Sequence, residues 1–490
     1  MKVETQTFRG YGKRKELTTQ TAVECRFTQD VATVLTASCH AVLTGADAGN
    51  GEVRYYGKAL FSIVYEDAEK RVCRAERGVE WSAVVKDDFV FPALTPRAQV
   101  TCENISVRRE GASIYMTALL GCDISLYGEQ SFDYLSGGDL IVKREPVKVL
   151  TCHLVSGAAE ADDEFETEYV TDILQHAETV NVTSITTETG ILKVEGDVNL
   201  AVLALKDGGN LVSFERLVPF KLEIPCDAAA YGASAEAEVN VVTATLRADS
   251  DENQNKCLVT CDLTLNLNGC VYEEVEVDAV TDAFSPTTQS SLVFATCESA
   301  GVGDTTLHTE RISGKCALSS PVDFSDNFQA ITLARAEAEV VTSERGKTAD
   351  GVAMSTLLVV GADGTRRGIE LSLPFSVPVE ADNAKVRVHV LGMSARQRQE
   401  GEIEAEATLK ITLQEQRKIT ARLVASAEEG ELLPVSDSAV SVYIPRAGDG
   451  LWELAKSLKK SPEEVAASNP DIEFPIKEGQ RVIVYRRKAL

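Results

Sequence analysis

Positive charge is scarce in this chain of 490 residues, in which 49 Lys and Arg are set against 75 Asp and Glu, a formal net charge of −26. A protein that binds nucleic acid through its phosphates needs a surplus of Lys and Arg, so the composition argues against a nucleic-acid partner. Long apolar runs are lacking as well. The densest, Leu60–Tyr65, is far shorter than the roughly 20 residues of a transmembrane helix, and the sequence predicts no membrane span.

Residues of the kinds that build catalytic centres are few and scattered. The five histidines show no His-x-x-x-His or Glu-x-x-His spacing, and no Gly-x-Ser-x-Gly turn marks a nucleophile. Among twelve cysteines there is no Cys-x-x-Cys pair, and Cys257 and Cys261 lack the turn that zinc ligands usually enclose. The acidic run 160–168 lacks the alternating Asp loop of calcium sites. We therefore predict no enzyme, no metal and no cofactor.

The N-terminal segment MKVETQTFRG has neither the apolar core nor the small-residue cleavage site of an export signal. Together with the scattered cysteines, this favours reduced thiols and a cytoplasmic location. Hydrophobic residues make up 44% and charged residues 25% of the chain, which is the balance of a folded globular protein. The length predicts roughly two to four domains.

The sequence does contain a long internal repeat. The segment Gly57–Asp67 matches Gly196–Lys206 at a shift of 139 positions, and the same shift carries Trp81 onto Phe220. A looser third copy places Phe375 at the equivalent of Phe220, 155 positions further on. Three related repeats followed by a distinct C-terminal segment are therefore expected. The predicted domains are residues 1–150, 151–290, 291–435 and 436–490.

Within each copy, a hydrophobic period of two indicates β-strands. Leu200–Leu205 and Leu211–Phe214 flank a Lys-Asp-Gly-Gly-Asn turn, which is typical of a β-hairpin. Such alternation buries one face of an antiparallel sheet. A short helix is expected around Val170–His176, and linkers are expected near residues 157–166 and 285–291. The predicted fold class is mainly β, three related antiparallel β domains, followed by a small α+β module.

The pattern changes from about residue 440. A short strand at Ser441–Ile444 precedes apolar residues at i, i+3, i+4 and i+7 from Leu451, which is the stripe of an amphipathic helix. A second helix is signalled by Ser461 as N-cap, followed by Pro at the first helical position. Gly479–Tyr485 supplies a closing strand. The segment therefore predicts a compact strand–helix–helix–strand module.

This segment resembles a LysM module in its landmark residues, which are Tyr443, Gly448-Asp449-x-Leu451-Trp452-x-x-Ala455, Asn469-Pro470 and Gly479-Gln480-x-Val482-x-Val484. The resemblance implies a βααβ fold. It also implies a shallow groove between the loop after the first strand and the loop before the last, which in many members of the family binds chitin-type or peptidoglycan glycans. The residues that would form this groove are Gly448, Asp449, Gly450, Leu451, Asn469, Pro470, Asp471 and Ile472.

One position departs from the family pattern, because Gly450 stands where the family usually has Thr or Ser. As a helix cap, Gly is weaker than Ser or Thr by only about a few tenths of a kcal/mol. The fold is expected to survive this change. A hydroxyl that could contact a sugar is missing, however, so the sequence leaves glycan and protein as alternative ligands.

The repeats resemble the SPOCS domain of spore-coat proteins, on the residues Ile173-Leu-x-x-Ala177, Val180-x-Val182, Gly190, Val194-x-Gly196-x-Val198 and Pro219-Phe220. Three such domains before a C-terminal LysM module is the layout of the SipL family, coat-morphogenesis proteins of endospore-forming clostridia and their relatives. The resemblance implies a scaffold in the mother-cell cytoplasm, at the forespore surface and in the spore coat. It also implies that the LysM module contacts the coat-basement ATPase, stage IV sporulation protein A.

We therefore expect a non-enzymatic assembly scaffold whose LysM module is an adaptor. The alternative is a cell-wall protein that binds peptidoglycan or another chitin-type glycan through the same module. Charge favours a protein ligand: residues 442–490 hold nine Lys and Arg against seven Asp and Glu, or +2, and the remainder carries −28. Leu451, Pro470 and Ile472, beside Asp449 and Asp471, would form a small apolar centre with a polar rim.

Overall fold

The alternating hydrophobic pattern is realised as long antiparallel strands, which confirms the mainly β fold predicted from the sequence. The computed structural model describes residues 2–111, 113–251, 255–323, 326–332, 334–343, 346–379, 383–398, 402–434 and 440–485.

Three β units follow one another along the chain. The first comprises β1 (Val3–Phe27), β2 (Thr33–Ala48), β3 (Glu52–Glu66), β4 (Val72–Lys86), β5 (Thr95–Glu110) and β6 (Ser113–Gly138). The second comprises β7 (Ile141–Glu168), β8 (Asp172–Glu188), β9 (Ile191–Leu205), β10 (Leu211–Pro225), β11 (Ala235–Asp251) and β12 (Lys256–Phe284), with a 3₁₀ turn at Asp207–Gly209. The third comprises β13 (Thr288–Lys315), β14 (Ala317–Leu318), β15 (Asn327–Ile331), β16 (Arg335–Ser343), β17 (Gly346–Val360), β18 (Arg366–Pro378), β19 (Ala384–Gln397) and β20 (Ile403–Leu432).

Each unit packs two antiparallel sheets around one core. The sheets of the first unit have the strand orders β1-β6-β5 and β2-β3-β4, and those of the second have the orders β7-β12-β11 and β10-β9-β8. The third unit repeats the pattern with β13-β20-β19 and with β17 and β18, on which β14, β15 and β16 also pair. The apolar cores join the two sheets of each unit, as Phe61 of β3 and Met116 of β6 do in the first.

The three units share one register. Trp81, Phe220 and Phe375 lie directly opposite Gly57, Gly196 and Gly351, each on the last strand of the equivalent sheet. The three rings are 8%, 6% and 7% exposed. Each glycine lacks the side chain that would collide with the ring opposite it. A Cβ on Gly351, for example, would lie 2.6 Å from the Phe375 ring. The equivalence of these three aromatic positions, predicted from the sequence, is confirmed.

Irregularities of pairing recur at the same spacing. The shifts of register at 34/36, 43/45 and 102/104 in the first unit reappear at 173/175, 182/184 and 241/243 in the second. Bulges re-aim a strand and are features of a fold rather than accidents. Their repetition at a shift of 139 supports the alignment that the sequence gives.

Two local expectations were wrong. The acidic run 157–166 is not a linker but part of β7, paired along its length with β12. Ala161 points to the core while Glu160 and Asp162 point to solvent, and the half-buried Asp163 forms an ion pair with Arg216 of β10. The segment 170–176 is not a helix, since β8 begins at Asp172. Adjacent residues Ile173 and Leu174 are both buried there, a pattern that resembles a helical turn in the sequence. The other expected linker is confirmed in part, between Phe284 and Thr288.

The three units meet around a common axis. Val64, Leu203 and Leu358, equivalent residues of the three units, lie in one buried cluster there. Arg366 of the third unit also joins the units. Its Nη1 donates to Glu66 Oε1 of the first unit at 2.7 Å, and its Nη2 donates to the Gly209 carbonyl of the second at 2.8 Å. A single side chain therefore bridges all three units.

Beyond the units, the long strands continue as three two-stranded ribbons, β1/β6, β7/β12 and β13/β20, which pack on one another. We call this part the stem; it comprises residues 3–12, 127–138, 141–154, 270–284, 288–302 and 417–432. Its buried side chains come from all three ribbons, as Leu135, Val280 and Val424 do in one cluster. The stem therefore joins the three units through the extensions of their long strands.

The C-terminal module has the predicted element order, β21 (Val440–Tyr443), α1 (Leu451–Leu458), α2 (Pro462–Ser468) and β22 (Val482–Tyr485), with β21 antiparallel to β22. Ser461 caps α2, because its Oγ accepts a hydrogen bond from the Glu464 amide at 3.1 Å. Gly450 precedes α1 in an extended conformation and offers no side-chain cap. Both helix starts are as the sequence predicts.

Candidate functional site

The candidate site is the pair of loops at the ends of the two helices of the C-terminal module. The module has a core of its own, which includes Leu454, Ala455, Val465 and Val482. Phe284, from the end of β12, belongs to the same cluster and is 0% exposed. The module is therefore packed onto the stem and has a fixed place on the scaffold.

A polar contact reinforces this packing. Asp282 of β12 accepts hydrogen bonds from the Trp452 indole nitrogen at 2.8 Å and from Lys456 Nζ at 2.7 Å. The indole ring lies 5.3 Å from the Phe284 ring, centroid to centroid. Burial of Asp282 acts to raise its pKa, but the bonds from Lys456 and Trp452 outweigh it and hold the pKa below its ordinary value. Trp452 is thus a packing residue of the docked module.

The first loop is tied to the segment that leads into β22. The Gly448 amide donates to the Ile476 carbonyl at 2.8 Å, and the Ile476 amide donates to the Asp449 carbonyl at 2.9 Å. Gly448 has a φ of +94°, in the region that favours glycine. The Asp449 carboxylate accepts from the Arg446 amide at 3.0 Å. The backbone of this loop is therefore held in one conformation before any ligand binds.

Asn469 holds the second loop from the inside. It is 7% exposed, and its Nδ2 donates to the carbonyls of Val465 and Ile483 at 2.9 Å each. Its Oδ1 accepts from the Ile483 amide at 2.7 Å. The hydrogen bonds of this side-chain amide stay within the module, where they join α2 to β22. Asn469 therefore fixes the conformation of the second loop from inside the module.

The remaining predicted residues divide into an apolar base and an exposed rim. Leu451 and Ile472 are half-buried and both pack on the module core. Pro470 and Asp471 are exposed, whereas Asp449 and Gly450 are half-buried. We call Leu451, Pro470, Asp471 and Ile472 the loop patch. Its two aliphatic side chains are partly open to solvent beside a carboxylate, a composition that suits a small protein contact.

Sequence reasoning missed a second apolar surface on the module. Val442 and Ile444 are 61% and 70% exposed, and Ile483 and Tyr485 on the paired strand are exposed as well. A cavity of about 270 Å³ between α2 and β22 adjoins it, lined by Leu458, Val465, Ile483 and Tyr485 among others. The signal was present in the alternation of Val440, Val442 and Ile444.

The histidines lie apart from the module. His153, His176 and His308 each contact a nearby glutamate, at 3.0, 2.5 and 3.2 Å. Burial lowers the pKa of His389 to about 4. In the part of the chain that the structure describes, no three His, Cys, Asp or Glu side chains are grouped so that they could hold a metal ion.

Within the same described ranges, no helix is both long enough and apolar enough to cross a membrane. Comparison of the whole chain with family models, with curated proteins and with solved structures gave no match.

Proposed function

We propose that this protein is a non-enzymatic scaffold of spore-coat assembly whose C-terminal module, as a LysM-type adaptor, binds a protein partner through the loop patch. The observation that carries the proposal is the fixed position of the module on the stem, with Leu451 and Ile472 half-buried at its surface. A preformed apolar contact on a rigid support binds without a large ordering cost.

Three features support a protein ligand over a glycan. Gly450 brings no hydroxyl to the first loop, and the amide of Asn469 is satisfied within the module. The module carries +2 in residues 442–490, against −28 for the rest of the chain. The β units therefore repel an acidic partner, whereas the module attracts it weakly.

The place of action rests on the resemblance to SPOCS repeats followed by a LysM module. It supports a location in the mother cell at the forespore surface, and a coat-basement ATPase resembling stage IV sporulation protein A as the partner. The three-unit scaffold suits this role, because a large β framework can present one adaptor in a defined orientation.

The test compares two substitutions in the full-length chain. Ile472→Asp places a carboxylate in the loop patch, and Val442→Asp places one on the exposed face of β21 as a matched control. Binding of the purified coat-basement ATPase should weaken by roughly 5- to 150-fold for Ile472→Asp, as for an interface anchor worth about 1–3 kcal/mol. It should change little for Val442→Asp. Unchanged binding by folded Ile472→Asp would contradict the proposal. So would strong sedimentation with purified peptidoglycan that the same substitution abolishes.

A further inference from the structure

Two cysteines of the first β unit face each other across its two sheets. Cys39 lies in β2 opposite Phe61, and Cys102 lies in β5 opposite Leu120. The strands β2 and β5 are in contact, and each of the two thiols acts on the pKa of the other. Both side chains are half-buried, and both line a cavity of about 580 Å³ to which all three units contribute. The pair is therefore close enough to react and open to small molecules.

We propose that Cys39 and Cys102 form a site of reversible thiol oxidation, in which hydrogen peroxide converts the pair to a disulfide that joins the two sheets of the first β unit.

The surroundings divide the roles of the two thiols. Interaction with Cys39 lowers the pKa of Cys102, and the guanidinium of Arg335, from the third unit, acts in the same direction against burial and Glu103. Interaction with Cys102 and burial both raise the pKa of Cys39. Because the thiolate is the nucleophile, Cys102 attacks first and Cys39 resolves. Burial instead raises the pKa of Cys122 to about 12, so that thiol stays inert.

The reaction balances with peroxide as the oxidant. Cys102 thiolate attacks one oxygen of hydrogen peroxide, the O–O bond breaks and hydroxide leaves, which gives a sulfenic acid. The Cys39 sulfur then attacks the sulfenic sulfur, the S–O bond breaks, and the oxygen leaves as water with the Cys39 proton. The net change converts two thiols and one peroxide to one disulfide and two waters. A dithiol reductant reverses it by exchange.

The fold itself does not require this pair. At a shift of 139, the second unit has Glu178 and Val241 in place of Cys39 and Cys102. The contact between these two sheets therefore forms with other side chains. A bridge from Cys39 to Cys102 would close the chain between them and fix β2 against β5 in the first unit alone.

A second thiol pair supplies the control. Cys152 and Cys270 also lie together, in one buried cluster, but they are in the stem at 2% and 1% exposure and line none of the cavities described. Full-length native protein is treated with dilute hydrogen peroxide and digested without reduction. We expect an intact mass lower by about 2 Da, the two hydrogens of the oxidised thiols, and a peptide that links Cys39 to Cys102. The Cys152–Cys270 pair should stay reduced.

The variant Cys39→Ser separates the two steps. It should accumulate a sulfenic acid on Cys102 that dimedone traps, whereas the wild-type chain should accumulate at least about tenfold less. Absence of the Cys39–Cys102 peptide from oxidised wild-type protein would overturn the proposal whether or not the variant folds. Oxidation of the stem pair at an equal rate would overturn it too, because exposure to the cavity would then not select the site.

Discussion

Arg366 offers the sharpest test of how the three β units are held together. Its guanidinium contacts Glu66 of the first unit and the Gly209 carbonyl of the second. The side chains of Arg366 and Glu66 are only 15% and 7% exposed. Substitution Arg366→Met would leave the Glu66 carboxylate buried without this partner. Breaking a buried ion pair from one side costs about 3–5 kcal/mol.

We expect the low end of that range, about 3 kcal/mol, because the pair already carries an unfavourable feature: Arg366 Nε is buried with no hydrogen-bond partner. With a urea dependence of about 3 kcal/mol per molar, the first unfolding transition should move down by about 1 M. Circular dichroism of the full-length chain across a urea series measures this shift.

The double variant Glu66→Leu, Arg366→Met is the decisive control. It removes both charges at once, and apolar residues already occupy the equivalents of Arg366 in the other units, Val72 and Leu211. The double variant should therefore recover most of the lost stability. A loss of less than about 1 kcal/mol in Arg366→Met, or a double variant no more stable than the single one, would refute the reasoning.

Three further results are expected. Because Asp282 has a folded pKa below its ordinary 3.8, it stabilises the docked module above about pH 4. This contribution is lost as the pH falls through the folded pKa. In a Trp81→Phe chain, where Trp452 is the remaining tryptophan, the emission should therefore shift to the red below the folded pKa of Asp282. Gly351→Ala should cost about 2 kcal/mol or more in urea unfolding, since its Cβ would lie 2.2 Å from a carbonyl of the adjacent strand. Asn469→Ala should destabilise the module by about 3 kcal/mol, because the three hydrogen bonds of this side-chain amide are lost. Thermal melting followed at Trp452 would report the loss.

Two of these results have a matched reference. Gly78 lies on a strand with no atom within 4 Å of its missing Cβ, so Gly78→Ala should change stability little, and an equal loss at both glycines would contradict the packing argument. Asp282→Asn should remove the acid transition of Trp452 emission. A transition that persists in this variant would assign it to another group.

The sequence predicts most of the local structure because the hydrophobic period of a strand or helix depends on residues that are close together in the chain. The hairpin around 206–210 and the cap at Ser461 follow from turn and capping chemistry within a few residues. One of the two errors arose where a strand is buried on two faces. Ile173 and Leu174 point to different clusters, one in the unit core and one at the axis, and alternation alone cannot show this.

Contacts between distant parts of the chain were beyond the sequence argument. The docking of Trp452 on Asp282 joins residues 170 positions apart, and Cys39 meets Cys102 only because two sheets of one unit face each other. For the candidate site, residue types and spacing identified the loops. They could not show that Asn469 turns inward, because that depends on the backbone of β22 beside it.

The seating of the C-terminal module on Phe284 has a numerical consequence. Three β units share one stem, yet the module belongs to the end of a single ribbon, β7/β12. A symmetrical trimer of separate units would present three such modules, whereas the described part of this chain has one. The partner proposed above would therefore bind each molecule at one loop patch, in a one-to-one complex.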